Sequence, residues 1–243
     1  IGVNSFILSR SGTSSGVGFA IPAAVVRRVV ETAVGGGRAV VRPWLGARTQ
    51  SVTPELAKGL GLATPQGAVV ADLWPGGPAQ RAGLRQGDIV LQVDGRPAPD
   101  AATLSYAIAN HRPGDTVQLT VRRNGREQAV TLPAEPPPAV PAKDERTLAG
   151  RNPFDGATVV NLSPAVADEL GIDPFTPAGV MVTGIQRGLA LNVGLRPGDI
   201  VREVNGVRIT TVRTLADTLA APQRGWRVTI ERNGQLVTAT FSV

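Results

Sequence analysis

The chain contains no cysteine, one histidine and one methionine among its 243 residues. The lack of cysteine excludes disulfides, thiol catalysis and cysteine-based zinc sites. Any metal site would have to be built from carboxylates, and these are dispersed along the sequence. Aromatic residues make up only 4%, so aliphatic side chains must fill the core, and no run approaches the roughly 20 apolar residues that span a bilayer. We expect no cofactor and no membrane insertion.

Positive charge is in excess, because the formal net charge is +6 and the pI is near 11.0. The lysines and arginines are nevertheless scattered among acids, and no stripe of them alternates with stacking aromatic residues, the pattern typical of nucleic-acid-binding surfaces. We therefore expect no nucleic-acid partner.

One short pattern imitates a catalytic motif. Residues 12–16 read Gly-Thr-Ser-Ser-Gly, which fits a nucleophile elbow, but that motif needs a strand before the serine, a helix after it and a later histidine. Here a strand is predicted after Ser14, and the only histidine, His111, ends a predicted helix, where the helix dipole favours positive charge. We expect this turn to have no catalytic role.

Two stretches of the sequence are near copies of one another. Residues 83–95 read GLRQGDIVLQVDG, residues 194–206 read GLRPGDIVREVNG, and the offset of 111 residues is the same at both ends. This spacing is far longer than the 20 to 50 residues of a solenoid repeat. Each copy should therefore be a whole domain with its own core.

The same elements are predicted in both copies. Each has an apolar strand closed by an Asp-Gly or Asn-Gly turn, then an amphipathic helix, then a hairpin whose Asn-Gly pair favours positive φ. The predicted ranges are strands 89–93 and 200–204, helices 100–110 and 211–219, and first hairpin strands 117–122 and 228–231, which lead to Asn124-Gly125 and Asn233-Gly234. Asp88 and Asp199 are interpreted as turn residues that bind nearby backbone.

A proline-rich segment separates the copies. Residues 133–141 read PAEPPPAVP, a composition that favours extended polyproline geometry and a semi-rigid spacer. A ligand for the aromatic groove of another protein is the alternative interpretation.

The repeated pattern Ala-Gly-Leu-x-x-Gly-Asp-Ile-Val-x-x-Val-(Asn/Asp)-Gly, with its helix and Asn-Gly hairpin, resembles the PDZ domain in its bacterial, circularly permuted form. The resemblance implies a mainly β fold with short α-helices, two partly open β-barrels in tandem that bind peptide between a strand and a helix. A glycine-containing loop at the strand entrance would present backbone N–H groups to the carboxylate of a peptide end.

In the first copy the loop would be formed by residues 42–47, RPWLGA. The peptide would add as a strand beside residues 47–49, and its last side chain would contact the helix. The expected binding residues are Trp44, Leu45, Gly46, Ala47, Arg48, Thr49, Leu104, Ala107, Ile108 and His111. The alternative is that Trp44 and Leu45 only seal the core.

The second copy departs from this pattern, because Asp155 stands where an apolar residue is expected. A carboxylate there would repel a peptide terminus by about 1 kcal/mol at 4 Å in water. The equivalent residues are Phe154, Asp155, Gly156, Ala157, Leu215 and Leu219, and we expect them to bind free C-termini weakly or not at all.

The N-terminal residues carry a second resemblance. The segments IGVNSFILSRSG (1–12) and GVGFAIP (16–22) are similar to the last strands of the trypsin-like domain of HtrA/Do envelope serine proteases, in which one or two PDZ domains follow the protease domain. The resemblance implies that the loop at 9–16 helps to shape a substrate pocket. It also implies that this chain is truncated, without the family's nucleophile, His and Asp, and is not itself an enzyme although its parent is a serine endopeptidase.

The expected organisation follows from both resemblances: a protease remnant at 1–22, a connecting helix and glycine-rich linker at 23–42, PDZ domains at 43–133 and 148–243, and a proline-rich linker at 134–147. We expect a periplasmic regulatory module that captures hydrophobic C-termini of unfolded proteins. Its other partners would be its own protease domain and the subunits of a homo-oligomer. The alternative is an architectural role in a protease cage, and a scaffold unrelated to proteases is a third interpretation.

Overall fold

The computed structural model describes residues 2–7, 18–35, 40–221, 223 and 225–242. The chain divides into two compact units, Ile1–Pro136 and Pro137–Val243. None of the described helices has both the length and the apolar character needed to cross a membrane.

The first unit begins with a small antiparallel sheet and a helix, followed by a larger antiparallel sheet with three short helices. The larger sheet has the strand order β3-β4-β5-β7-β8, with β6 paired to β5, and is not a closed barrel. The elements are β1 (Gly2–Ile7), β2 (Gly18–Pro22), α1 (Ala23–Val34), β3 (Ala47–Ser51), α2 (Pro54–Gly59), β4 (Ala68–Leu73), α3 (Pro78–Arg81), β5 (Ile89–Val93), β6 (Arg96–Pro97), α4 (Ala101–Ala109), β7 (Thr116–Arg123) and β8 (Arg126–Pro133).

The second unit repeats the larger sheet and its helices, and it adds one strand. Its order is β15-β14-β12-β11-β10-β9, with β13 paired to β12. The elements are β9 (Arg146–Thr147), β10 (Ala157–Asn161), α5 (Pro164–Glu169), β11 (Val180–Ile185), α6 (Leu189–Asn192), β12 (Ile200–Val204), β13 (Val207–Arg208), α7 (Val212–Ala220), β14 (Trp226–Arg232) and β15 (Gln235–Phe241). The prediction of mainly β units with short helices is confirmed.

Turn and cap residues set the element boundaries as the local sequence predicts. Asn124 and Gly125 have φ of 49° and 77°, the consecutive positive values of a two-residue hairpin turn. Asp100 caps α4 by accepting a hydrogen bond from the N–H of Thr103 at 2.6 Å. The two N-terminal segments that resemble the last strands of a trypsin-like domain contain β1 and β2. The loop at 9–16, with its Gly-x-Ser-x-Gly pattern, lies outside the described residues.

Each unit has its own buried core, made mostly of aliphatic residues, as the low aromatic content predicts. In the first, Leu104 and Ile108 of α4 face strands β4, β5 and β7. In the second, Leu215 of α7 is joined by two fully buried aromatic residues, Phe154 and Trp226. The two cores give each unit the means to fold around its own sheet.

A buried ion pair ties the repeated Gly-Asp turn to the hairpin in each unit. The Asp88 carboxylate is 1% exposed and accepts a hydrogen bond from the backbone N–H of Arg85, as the turn interpretation predicts. Its two oxygens also bind the guanidinium group of Arg123 at 2.7 and 2.6 Å. Asp199 and Arg232 repeat these contacts at the same distances. The hydrogen bond to Asp88 raises the pKa of Arg123. The arginine partners were not foreseen, because they lie more than 30 residues further along the chain.

The proline-rich segment, which we predicted to be a spacer, forms hydrogen bonds in each of the two units. The N–H of Ala134 donates to Asp115 at 2.8 Å, and the carbonyl of Glu135 accepts from Trp44 at 3.0 Å, both within the first unit. In the second unit, the carbonyl of Pro138 accepts from Ala165 at 3.0 Å. Proline loses its N–H but keeps its acceptor, so a proline-rich stretch can still be held by its carbonyls.

Candidate functional site

The loop that precedes β3 in the first unit is held by its carbonyl groups. The carbonyl of Leu45 accepts from the N–H of Ala79 at 3.1 Å, and that of Gly46 accepts from Trp74 at 2.9 Å. Gly46 has φ of +68°, and a Cβ on it would lie 2.7 Å from Cδ of Pro78. Only glycine fits this position without strain.

The same bonds orient the N–H groups. In a trans peptide plane the carbonyl and the following N–H point in opposite directions, so the N–H groups of Gly46 and Ala47 point away from Ala79 and Trp74. Within the described part of the chain, the N–H groups of Leu45 and Gly46 donate to no acceptor. Neighbouring backbone N–H groups left unpaired at a glycine turn form a concave site for an anion.

The strand that follows this loop lies at the edge of its sheet. Among the described strands β3 pairs with β4 alone, and its register starts with Ala47 opposite Leu73. Because Ala47 directs its N–H away from β4, its carbonyl, which points the same way in extended backbone, is also at the free edge. An edge strand of this kind is a template for one more strand.

Helix α4 lies beside β3 and forms the other wall. The side chain of Ser51, at the end of β3, accepts from the N–H of Ala101 at 3.1 Å. Leu45 is 7% exposed and packs in the same core as Leu104 and Ile108. Leu45, Leu104 and Ile108 thus belong to one buried core cluster beside β3 and α4, and Ala47 packs against it.

Two of the predicted groove residues, Ala107 and His111, line a different cleft. The His111 ring contacts Asp94 Oδ2 through Nε2 at 2.7 Å and the carbonyl of Ala107 through Nδ1 at 3.1 Å. His111 and Ala107 line a separate cleft with Asp94 and Tyr106, about 480 Å³ in volume. His111 therefore does lie at the negative end of the helix, as the dipole argument predicts, but it faces the turn after β5. Both residues thus line the cleft beside Asp94.

One exposed position of α4 was missed by the sequence-based prediction. Because successive helical residues are rotated by about 100°, Ser105 and Ala107 flank the buried Ile108 on opposite sides of the helix, and Ser105 is exposed. Its small polar side chain gave no apolar pattern to mark it. Of the remaining predicted residues, Thr49 is half-buried and Arg48 lies 3.9 Å from Asp72 in an exposed ion pair. Trp44 packs against Trp74, with ring centroids 5.8 Å apart.

The equivalent loop of the second unit uses its N–H groups internally. Asp155 donates to Asn152 at 3.2 Å, Gly156 to Leu148 at 2.8 Å, and Ala157 to Phe154 at 2.9 Å. The Asp155 side chain accepts from the N–H of Gly150 at 3.1 Å. Phe154 is fully buried and is part of the core instead of the groove surface.

The equivalent strand edge is also covered. β9 pairs with the outer edge of β10, Thr147 opposite Thr158 and Arg146 opposite Val159. Leu215 of α7 is buried, and Leu219 packs on the same core. Among the described residues the two loops therefore differ in their pairing. β3 has a neighbouring strand on one side only, and the N–H groups of Leu45 and Gly46 have no acceptor. In the second unit β9 covers β10, and the N–H groups of the equivalent loop donate within the unit.

Comparison with known families identifies the same kind of domain in both units. The family model described as a PDZ domain matches residues 43–133, and a second PDZ-domain model matches residues 149–229. A probable periplasmic serine endoprotease, DegP-like, from Marinomonas sp. (strain MWYL1) is 34% identical over 216 residues, 89% of this chain and 45% of that protein.

Further relatives have similar coverage. A DegP-like protein of the same description from Halomonas elongata is 36% identical over 221 residues, 90% of this chain and 45% of that protein. Among solved structures, the HtrA-type protease AlgW with decapeptide is 40% identical, covers 57% of this chain and 42% of that one, and has a TM-score of 0.43. The chain thus spans about half the length of the curated relatives it matches. With the two domain matches covering most of its residues, the chain belongs to the PDZ-domain family and carries two such domains in tandem.

Proposed function

We propose that the first PDZ domain is a peptide-binding regulatory module, which captures the free C-terminal ends of extended, unfolded chains by strand addition to β3. The observation that carries this proposal is the pair of unpaired N–H groups at Leu45 and Gly46, beside a free strand edge. A terminal carboxylate supplies the negative charge and the acceptors that such a turn lacks.

The aliphatic residues beside β3 and α4 support a further part of the proposal, that the last residue of the bound peptide is hydrophobic. Leu45, Ala47, Leu104 and Ile108 are aliphatic and buried or half-buried. Burying an aliphatic side chain there would contribute roughly 1.5–3 kcal/mol. The domain should therefore prefer peptides that end in a residue such as leucine or valine.

The wider role rests on the relatives. Because they are named periplasmic serine endoproteases, we propose that the two domains act beside a catalytic domain of that kind in the periplasm, and that this chain contributes recognition and no catalytic group. The β1–β2 hairpin and α1 would connect the first PDZ domain to such a neighbour.

An architectural role is the second candidate, and one observation favours it. Helix α1 exposes apolar residues, Val29 at 49%, Val30 at 53% and Val34 at 83%, and such surface often contacts another domain or subunit. This role would appear as a change in oligomer mass on Val34→Lys substitution, with peptide affinity unchanged.

The test of peptide capture compares two glycines with nearly the same backbone conformation. Gly46→Ala should reduce the affinity of the chain for a peptide ending in a free leucine at least tenfold, because the new Cβ would meet Pro78 and displace the loop. Gly76 has φ of +69° but open space around it, so Gly76→Ala introduces only the conformational strain, about 1–2 kcal/mol. Fluorescence anisotropy with a labelled peptide is the measurement. Equal affinities of both variants and the natural chain would contradict the proposal.

A further inference from the structure

The segment just before the second PDZ domain lies in that domain's groove as an added strand. It runs antiparallel to β10 from Lys143 to Leu148, and the carbonyl of Lys143 accepts from the N–H of Asn161 at 2.7 Å. The Lys143 side chain binds Glu169 of α5 at 2.8 Å, and this bond raises the pKa of Lys143. The outer edge of β10 is thereby paired at Thr158 and Val159 and hydrogen-bonded at Ala157 and Asn161.

Leu148 makes the contacts expected of the last residue of a bound peptide. Its N–H donates to the carbonyl of Ala157 at 2.8 Å, and its carbonyl accepts from the N–H of Gly156 at 2.8 Å. Ala157 and Gly156 correspond to Ala47 and Gly46 of the first domain. The Leu148 side chain is 8% exposed and belongs to the hydrophobic core. The chain thus supplies its own ligand, with Leu148 as the anchor.

This ligand differs from a peptide end because it continues beyond the anchor. Two residues later, the N–H of Gly150 donates to Asp155 Oδ1 at 3.1 Å. A peptide that ended at the anchor would offer no such donor and would bring its own negative charge toward the Asp155 carboxylate. Asp155 therefore favours a continuing chain over a free C-terminus.

We propose that the groove of the second PDZ domain is a binding site for internal, extended segments with a leucine anchor, occupied in cis by residues 143–150. The cis segment competes at the effective concentration of an intramolecular ligand, on the order of millimolar. Two features exclude a free C-terminus from this site: the edge of β10 is already occupied, and the Asp155 carboxylate repels the terminal carboxylate. This inference stands on contacts of the second domain alone and does not depend on the function proposed for the first.

The test uses NMR spectra of the whole chain, in which the amide resonances of the two domains can be followed separately. Two peptides are titrated: one spans residues 142–152 with both ends blocked, and the other ends at residue 148 with a free carboxylate. In the natural chain neither should shift the amide resonances of β10. In Leu148→Asp, which places a charge in the core and detaches the segment, the blocked peptide should bind to β10 at least tenfold more tightly than the free acid.

A second pair of variants places no charge in the core and tests the inference even if Leu148→Asp unfolds the domain. The N–H of Arg146 points toward β10, as that of Leu148 does two residues later, whereas the N–H of Thr147 points outward. Arg146→Pro should therefore open the groove to the blocked peptide, and Thr147→Pro should leave it closed. Val140→Asp, at a position 79% exposed, is the control for an added charge.

Three results would overturn the inference. The first is tighter binding of the free acid than of the blocked peptide to the opened groove. The second is binding of either peptide to β10 of the natural chain with the affinity found for the opened variants. The third result needs no variant. Fast hydrogen exchange of the Leu148 and Asn161 amides in the natural chain would show that residues 143–150 are not bound to β10.

Discussion

At the scale of residues, the two domains diverge most clearly at Leu45 and Asp155, which occupy the same place in the repeated loop. The sequence shows the charge at Asp155, and the charge alone suggested repulsion of a peptide end. It does not show that the carboxylate binds Gly150, because that contact depends on how the intervening loop closes. The prediction of weak C-terminal binding by the second domain thus stands as a proposal, now with a structural basis.

A first prediction concerns which side of α4 faces the peptide. Ser105→Glu should weaken the binding of a C-terminal peptide to the first domain about fivefold, because a carboxylate on the groove wall repels the peptide's terminus by about 1 kcal/mol. His111→Gln should change affinity less than twofold, since the His111 ring faces Asp94. Isothermal titration of both variants is the measurement.

The reverse order of effects would restore the sequence-based assignment. If His111→Gln weakened binding strongly and Ser105→Glu did not, the peptide would lie against the other side of the helix. Ser105→Gln serves as the uncharged control for side-chain size.

At the scale of elements, strands and helices with strong local patterns were predictable. Strands 89–93 and 200–204 have the predicted bounds, and both predicted helices lie within one residue of α4 and α7 at each end, because their turns and N-caps are local. Helices α2 and α5 were not predicted, since six residues are too few for a periodic pattern. Strand β9 was missed because two residues become a strand only through pairing with β10, eleven or more residues away.

A prediction at this scale concerns the start of α4, the groove wall. The N–H of Thr103 donates to Asp100 and lowers the pKa of that carboxyl. Since the folded pKa is depressed, the cap is fully present above the ordinary carboxyl value of about 3.9 and is lost as the pH falls through the lowered value. The Thr103 amide shift, followed by NMR, should titrate with a midpoint below 3.9.

The matched variant for the cap is Asp100→Asn, which keeps an acceptor but does not titrate. Its Thr103 amide should therefore show no transition over the same pH range. A midpoint at or above 3.9 in the natural chain would mean that the carboxylate is not the cap.

At the scale of the whole molecule, the repeat predicted two domains, and the family matches and the two compact units agree with that number. What the repeat could not show is that the copies have different grooves. That difference arises from a segment outside the repeated pattern, residues 143–150, which folds back on the second copy. Two near-identical stretches of sequence can therefore belong to domains whose equivalent strand edges are paired differently.

The ion pairs of Asp88 and Asp199 lead to a prediction about the unfolding of each domain. Arg123→Met would leave Asp88 buried without its cation, at a cost of about 3–5 kcal/mol, and should lower the Tm of the first domain by roughly 10 °C or more. Arg232→Met should do the same to the second domain through Asp199. Differential scanning calorimetry should show one transition moving in each variant while the other stays in place, and a single transition that shifted equally in both variants would refute separate cores.

The central claim is that a peptide's free end is held by the backbone N–H groups around Gly46. The most direct measurement is an NMR titration of the chain with one leucine-terminated peptide in two forms, free acid and C-terminal amide. We predict downfield shifts of the Leu45 and Gly46 amide protons with the free acid and at least tenfold weaker binding of the amide form. Equal binding of both forms, or unchanged Leu45 and Gly46 resonances at saturation, would contradict the claim.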